Sequence, residues 1–290
     1  MTTMEIIAAT DGSDPGTAAV RWAAREAARQ RRQLRIIHAF EWESAEVRFD
    51  GGYEFVETGQ QFAEAIVAAA VDEARRAAPT IRITSETLVG RPVPRLSAAA
   101  DGAEILVLGN RGRGGFTSLL LGSVSRRVAT HVACSVVVVR GNTDDGAGPV
   151  VVGCDDSPHS DHVLETAFEA ADARGASLTV VRAYLPPTPL WPRNVSGVET
   201  PRADERSRVQ ERLAPWQDKY PEVTVETIIS HDGPAPALIR RSHGSRLVIV
   251  GSHDHGALAN AMLGSTGTQL LHHAGCPVYI ARPHLEHVVG

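Results

Sequence analysis

Lysine is almost absent from this chain. Lys219 is the only one, so 28 of the 29 basic residues are arginine. That composition fits a GC-rich coding habit, and it removes nearly every chance of lysine catalysis. Aromatic residues make up only 5%, so aliphatic side chains must build the core. Cysteine is scarce: Cys134, Cys154 and Cys276 are odd in number and scattered, which excludes a disulfide framework or a CxxC metal pair and fits a reducing cytoplasm. No apolar run approaches the ~18 residues of a spanning helix. Met1 to Glu5 lack the basic and apolar regions of a signal peptide. The formal charge of −5 lacks the basic excess that nucleic-acid binding requires.

The chain contains instead a repeat. The 290 residues, 43% hydrophobic and 22% charged, suggest about two soluble domains. Ile6 to Ser13 reads like Val150 to Ser157, an apolar run ending in Asp-x-Ser, and Leu34 to Phe40 reads like Leu178 to Tyr184, both offset by 144. Ile105 to Gly109 matches Leu247 to Gly251, and Gly122-Ser123 matches Gly264-Ser265, offset by 142. One unit of ~140 residues is used twice. The expected domains are 1–141 and 149–290, joined by the polar Gly/Asp stretch 141–148.

Within the first unit, β-branched runs near 4–10, 34–40, 80–89, 104–109 and 135–140 predict strands, and segments near 15–32, 59–78, 93–102 and 122–132 predict helices. Strands alternating with helices predict an α/β fold, each half a five-stranded parallel sheet flanked by helices. Ser13-Asp14-Pro15 and Ser157-Pro158 carry helix-start chemistry. Segments 41–58 and 185–201 read as long turn-rich connections, the second made non-helical by Pro186, Pro187, Pro189, Pro192 and Pro201.

Two constellations can carry chemistry. The first is Gly109-Asn110-Arg111-Gly112-Arg113-Gly114-Gly115, running on to Gly122-Ser123 with the spacing G-x2-G-x9-G-S. It follows a strand and opens a helix, whose free N–H groups favour an anion. It is neither a P-loop nor a GxGxxG fingerprint. The alternative is a tight turn and a plain helix start. The second constellation is Asp11, with Asp155 in the second half. A carboxylate at a strand end can accept from a ribose or base, or can close an Asx turn. With strand order 3-2-1-4-5, Asp11 and the 109–123 loop face one another at the switch point where open α/β sheets bind ligands.

These features resemble the universal stress protein family in its tandem form, over almost the whole chain. The resemblance implies two Rossmann-like, HUP-type domains of order 3-2-1-4-5 and an ATP-binding protein with a role in adaptation to stress. The residues themselves, with no carboxylate or histidine between 109 and 123, imply slow or no hydrolysis and so a nucleotide-dependent regulatory protein. Gly109, Gly112, Gly122 and Ser123 match the nucleotide signature of its ATP-binding members. By the same resemblance Asp11 sits beside adenosine, Ala39 offers backbone groups to adenine, and dimers commonly form through the last strand, here Ser135 to Arg140 and Pro277 to Arg282; two halves in one chain can instead pair those edges internally as a pseudo-dimer, and a regulatory protein partner is expected. Arg111 and Arg113 flank Gly112 with fixed positive charge. Asp155, Ala183, Gly251, Gly264 and Ser265 are the second-half counterparts. There Asp254 replaces Gly112, and His253 and His255 replace the arginines. A non-glycine blocks a needed backbone angle, so a weaker site, or one favouring acidic pH or a divalent ion, is expected in that half. His253-Asp254-His255 with His272-His273 does not complete a zinc geometry, and a phosphate-bound Mg²⁺ is the more plausible metal. Ser123 has no neighbouring base to activate it.

Two other classes stay open. Thr10-Asp11-Gly12-Ser13-Asp14 is faintly similar to the SGGxDS loop of adenine-nucleotide α-hydrolase enzymes, which transfer adenylyl groups. An interaction scaffold with degenerate pockets is the third reading. Trp22, Trp42, Trp191 and Trp216 do not recur between the halves, and His131 reads as a surface residue.

Overall fold

A computed structural model describes residues 5–41, 52–113, 120–143, 148–184, 199–252 and 263–283, with side chains described from 59 in the second segment and from 203 in the fifth. The chain divides into two compact units, each an α/β layer structure.

In the first unit the strands are β1 (Glu5–Ala9), β2 (Gln33–Phe40), β3 (Ile83–Val89), β4 (Ile105–Gly109) and β5 (Ser135–Val139). Their spatial order is β3-β2-β1-β4-β5, and all pairs are parallel. The helices are α1 (Asp14–Gln30), α2 (Gly52–Ala77), α3 (Pro92–Ala99) and α4 (Ser123–His131). α1 packs on α2 and α3 on α4, one pair per face. Covering both faces explains the unbroken apolar strands: Ile6, Ile7, Ala8, Leu106 and Val136 to Val138 are fully buried. Each large aliphatic buried this way contributes roughly 1.5–3 kcal/mol. Small residues Ala19, Ala23 and Ala27, all inaccessible, let α1 lie close on the sheet.

The second unit repeats the plan with β6 (Val150–Cys154), β7 (Leu178–Ala183), β8 (Val225–Ser230), β9 (Leu247–Gly251) and β10 (Val278–Ala281), in the order β8-β7-β6-β9-β10. Its helices are α5 (Ser160–Asp172), α6 (Glu199–Lys219), α7 (Pro234–Ser242) and α8 (Ser265–His273). Among the described residues no helix is long and apolar enough to cross a membrane.

Three sequence expectations need correction. The segment 41–58 is not wholly a turn-rich connection, because α2 starts at Gly52. Its buried face, Ala63, Ile66, Val67, Ala70 and Ala74, repeats every three or four residues, and that stripe carries the helix. The connection 185–201 likewise ends early, since α6 starts at Glu199 and Pro201 falls in its first turn, where proline is tolerated. Its earlier residues, Trp191 and the first four prolines among them, lie outside the described residues, as do Trp42 and the middle of the 141–148 join. Finally, Ser157-Pro158 does not start α5. Asp155 Oδ1 accepts from Ser157 N at 3.0 Å, closing an Asx turn, and the helix begins at Ser160 with His159 as an N-cap whose side chain makes no capping bond.

Candidate functional site

The strand order puts the reversal between β1 and β4. The chain leaves β1 toward α1 on one face and β4 toward α4 on the other, so a crevice opens between their C-terminal ends. Its first wall is the turn after β1. Ser13 caps α1, its Oγ accepting from Gly16 N at 3.3 Å and donating to Asp11 Oδ1 at 2.5 Å. Asp11 Oδ1 also accepts from Ser13 N at 3.1 Å, and Thr10 Oγ1 accepts from Gly12 N at 3.1 Å. Gly12 sits at φ +76°, in the left-handed region that favours glycine. One carboxylate oxygen of Asp11 is thus held by its own turn.

The other oxygen crosses the crevice. Arg113 N donates to Asp11 Oδ2 at 2.6 Å, so the acidic strand end and the glycine loop do face one another, as the topology predicts. The loop's two ends are stapled. Asn110 N donates to Val139 O at 3.1 Å, Gly122 N to Asn110 O at 2.7 Å, and the buried Ser125 Oγ to Gly109 O at 2.7 Å. α4 then starts at Ser123 with Gly122 as N-cap and no side-chain cap. Its first turn presents main-chain N–H groups, and the positive end of the helix dipole, to the crevice.

Space, not backbone angle, explains the loop glycines. None of Gly109, Gly112 and Gly122 adopts a positive φ. This corrects the expectation that Gly112 supplies a special angle. A Cβ on Gly112 would collide with Asp11 Oδ2, one on Gly109 would lie 2.6 Å from the carbonyl of Pro15, and one on Gly16 would lie 2.7 Å from Thr10 Oγ1.

The result is a cavity of about 370 Å³, within the ~300–1,000 Å³ common for small-molecule sites. All eight first-half residues singled out in the sequence, Asp11, Ala39, Gly109, Arg111, Gly112, Arg113, Gly122 and Ser123, line it. Ala9, Ala39, Pro92, Leu96 and Leu108 give it an apolar part; Asp11, Arg111, Arg113 and Ser123 give it a polar one. An apolar slot beside convergent N–H groups and two guanidinium groups can hold a flat apolar ring at one end and an anion at the other. Arg113 also lies over the Phe62 ring of α2, 5.0 Å from its centroid. Sequence reasoning did not single out the other lining residues, Ala9, Thr10, Gly16, Pro92, Leu96, Leu108, Val124 and Ser125, as site residues. For Pro92 and Leu96 a signal existed: Gly90-Arg91-Pro92-Val93-Pro94-Arg95-Leu96 recurs as Asp232-Gly233-Pro234-Ala235-Pro236-Ala237-Leu238.

In the second half Asp155 follows β6, Ala183 ends β7, Gly251 ends β9, and α8 begins at Ser265 behind Gly264. The corresponding strand ends carry the corresponding residues. Gly114, Gly115, His253, Asp254 and His255 lie outside the described residues. Among those described, no group of three His, Cys, Asp or Glu residues could hold a metal ion. His131 is exposed, its Nδ1 2.6 Å from Arg127 O. Trp22 is buried in the core. All three cysteines are buried thiols; desolvation pushes Cys134 up to about 11 and Cys154 upward as well, which disfavours the reactive thiolate.

Comparisons with known proteins identify the family of the chain. The family model described as the universal stress protein family matches residues 3–140 and again 147–282. A universal stress protein of Mycobacterium tuberculosis is 35% identical over 295 residues, covering 96% of this chain and 96% of its own. A second from that organism is 34% identical over 303 residues, covering 97% and 96%. The crystal structure of a universal stress protein from Archaeoglobus fulgidus superposes with a TM-score of 0.72 at 19% identity, covering 97% of this chain and 99% of that one; at that identity it speaks to the fold.

Proposed function

The chain belongs to the universal stress protein family in its tandem form, and from that premise we propose that the first-half crevice binds ATP and that nucleotide occupancy regulates the protein. The observation that carries the reading is the pairing of walls. An apolar slot beside Ala39 and Leu96 suits adenine, the Asp11 carboxylate suits ribose hydroxyls, and the amides of the glycine loop and of α4's first turn, with Arg111 and Arg113, suit phosphates.

Regulation rather than turnover follows from the lining. Fast phosphoryl transfer needs a base or positioned water and a metal-holding acid near the γ-phosphate. Asp11 is the one carboxylate among the described lining residues, and in this reading ribose takes it up. Ser123 provides a hydroxyl for a phosphate-bound Mg²⁺, whose remaining ligands would be phosphate oxygens and water. Hydrolysis is therefore slow or nil. A cytoplasmic location and association through the last strand belong to the same reading; light scattering of the purified chain reads the latter.

Acid release and chromatography of the purified protein, then calorimetric titration with ATP, test the proposal. The expected result is adenine nucleotide that binds at the first-half site. Pyrophosphate release on turnover would place the chain with adenylyl-transfer enzymes instead. Absence of any nucleotide affinity would leave only a scaffold.

A further inference from the structure

Helix α2 reaches the first-half crevice through a residue that its packing does not require. Its buried stripe, Ala63, Ile66, Val67, Ala70 and Ala74, accounts for its place against the sheet. Phe62 stands outside that stripe and is 57% exposed. A ring left largely in water gains little from burial, so what it touches is the informative part. The Arg113 guanidinium lies over it, 5.0 Å from the centroid. A planar guanidinium stacks well on an aromatic face.

Arg113 is fixed from two further sides. Its amide donates to Asp11 Oδ2 at 2.6 Å, which anchors the main chain at the crevice. Its side chain reaches Gly12: a Cβ on that glycine would lie 3.0 Å from Arg113 Nη2 and 3.2 Å from Cγ1 of Ile66. The missing side chain of Gly12 therefore leaves the space that the guanidinium uses, with Ile66 alongside and the Phe62 ring facing it.

From this seat Arg113 still lines the cavity, together with Arg111, Gly112 and Ser123. An arginine that is already ordered loses less conformational freedom when an anion arrives. The sequence does not repeat the seat, since Gly12 corresponds to Asp156 and Arg113 to His255 in the second half.

We propose that Phe62 is a positioning residue: its ring holds the Arg113 guanidinium ready for the phosphate tail, and so sets how strongly the first-half site prefers ATP to adenosine. This rests on the first-half reading of ATP binding. The test uses the full chain, with direct calorimetry of ATP and displacement of ATP by adenosine; thermal melts check that each variant folds. Phe62→Ala and Phe62→Leu are expected to weaken ATP about two- to fivefold, the worth of one exposed cation–π contact, and to bind adenosine as the parent does. Phe62→Tyr, which keeps the aromatic face, is expected to bind ATP like the parent. Arg113→Ala is expected to weaken ATP about tenfold or more, and adding Phe62→Ala to it is expected to cost nothing further. A merely structural ring would weaken ATP and adenosine together and would add to Arg113→Ala; either result overturns the proposal. So would parent-like ATP binding in Phe62→Ala or Phe62→Leu, or weakened binding in Phe62→Tyr. Tighter ATP binding in Phe62→Ala would overturn it too, because the ring would then be drawing the guanidinium away from phosphate. A parent chain without ATP affinity would refute the first-half proposal and this one with it, whereas a parent that binds ATP beside Phe62 variants that bind it equally refutes this one alone.

Discussion

Replacing Gly112 by alanine sets a methyl group against the Asp11 carboxylate, because a Cβ there would collide with Oδ2. Either the loop or the carboxylate must yield, and the bond between them is the one that gives: Arg113 N to Asp11 Oδ2, 2.6 Å. A hydrogen bond to a charged acceptor is worth roughly 1.5–3 kcal/mol. Every ~1.4 kcal/mol is tenfold in affinity, so if the loop amides hold phosphate, ATP binding falls by about 10- to 100-fold. That bond exists without ligand, so its loss also lowers stability, by less than the same figure because it lies exposed at the cavity rim. Calorimetry reads the affinity and a thermal melt the stability. Gly59→Ala is the matched control. Its Cβ meets nothing within 4 Å among the described residues, so it leaves binding alone and stabilises by roughly 0.5–1 kcal/mol. A Gly112→Ala protein that folds and binds ATP like the parent refutes the reasoning that this loop and Asp11 form the site.

Gly109→Ala meets immovable backbone, the carbonyl of Pro15 at 2.6 Å, whereas Gly251→Ala meets, among the described residues, the Cγ2 of Val163 at 3.0 Å; denaturant unfolding should show a loss of about 1–3 kcal/mol for the first and a smaller one for the second. Ser13→Ala removes the α1 cap and a partner of Asp11, costing about 1 kcal/mol in the same assay. Arg31 closes α1 at φ 53°, so Arg31→Gly relieves left-handed strain and raises the melting temperature, by up to about 1 kcal/mol in stability. The Cys134 thiol, raised by burial from an ordinary 9.0 to about 11, stays protonated in the fold after the unfolded chain has ionised. Stability is therefore held below pH 9 and declines as pH rises from 9 toward 11, and Cys134→Ser, read against the parent across that range, should flatten the decline.

Much of the fold was legible because it obeys local rules. Continuous β-branched runs mark strands covered on both faces, and the collinear repeat tied ten of them to one plan used twice. All eight first-half candidates line one cavity because strand, glycine loop and helix start are contiguous in sequence and meet at the switch point. Pro92 and Leu96 were not found, since they arrive from a crossover whose contribution depends on tertiary packing. Helix starts failed where a side chain outcompeted a pattern: Asp155 drew Ser157 into a turn, and the apolar stripe of α2 carried helix into a segment rich in turn formers. Gly112 was read as a conformational need when its constraint is the volume of a neighbouring carboxylate, which no single sequence displays.

Whether ATP lies in the first-half crevice is read without intermediaries from a crystal structure of the chain grown with excess ATP. Adenine is expected against Ala39 and Leu96, and phosphates on the amides of Gly112, Ser123 and Val124. A well-ordered structure with that crevice empty, or with ATP seated elsewhere, contradicts that expectation.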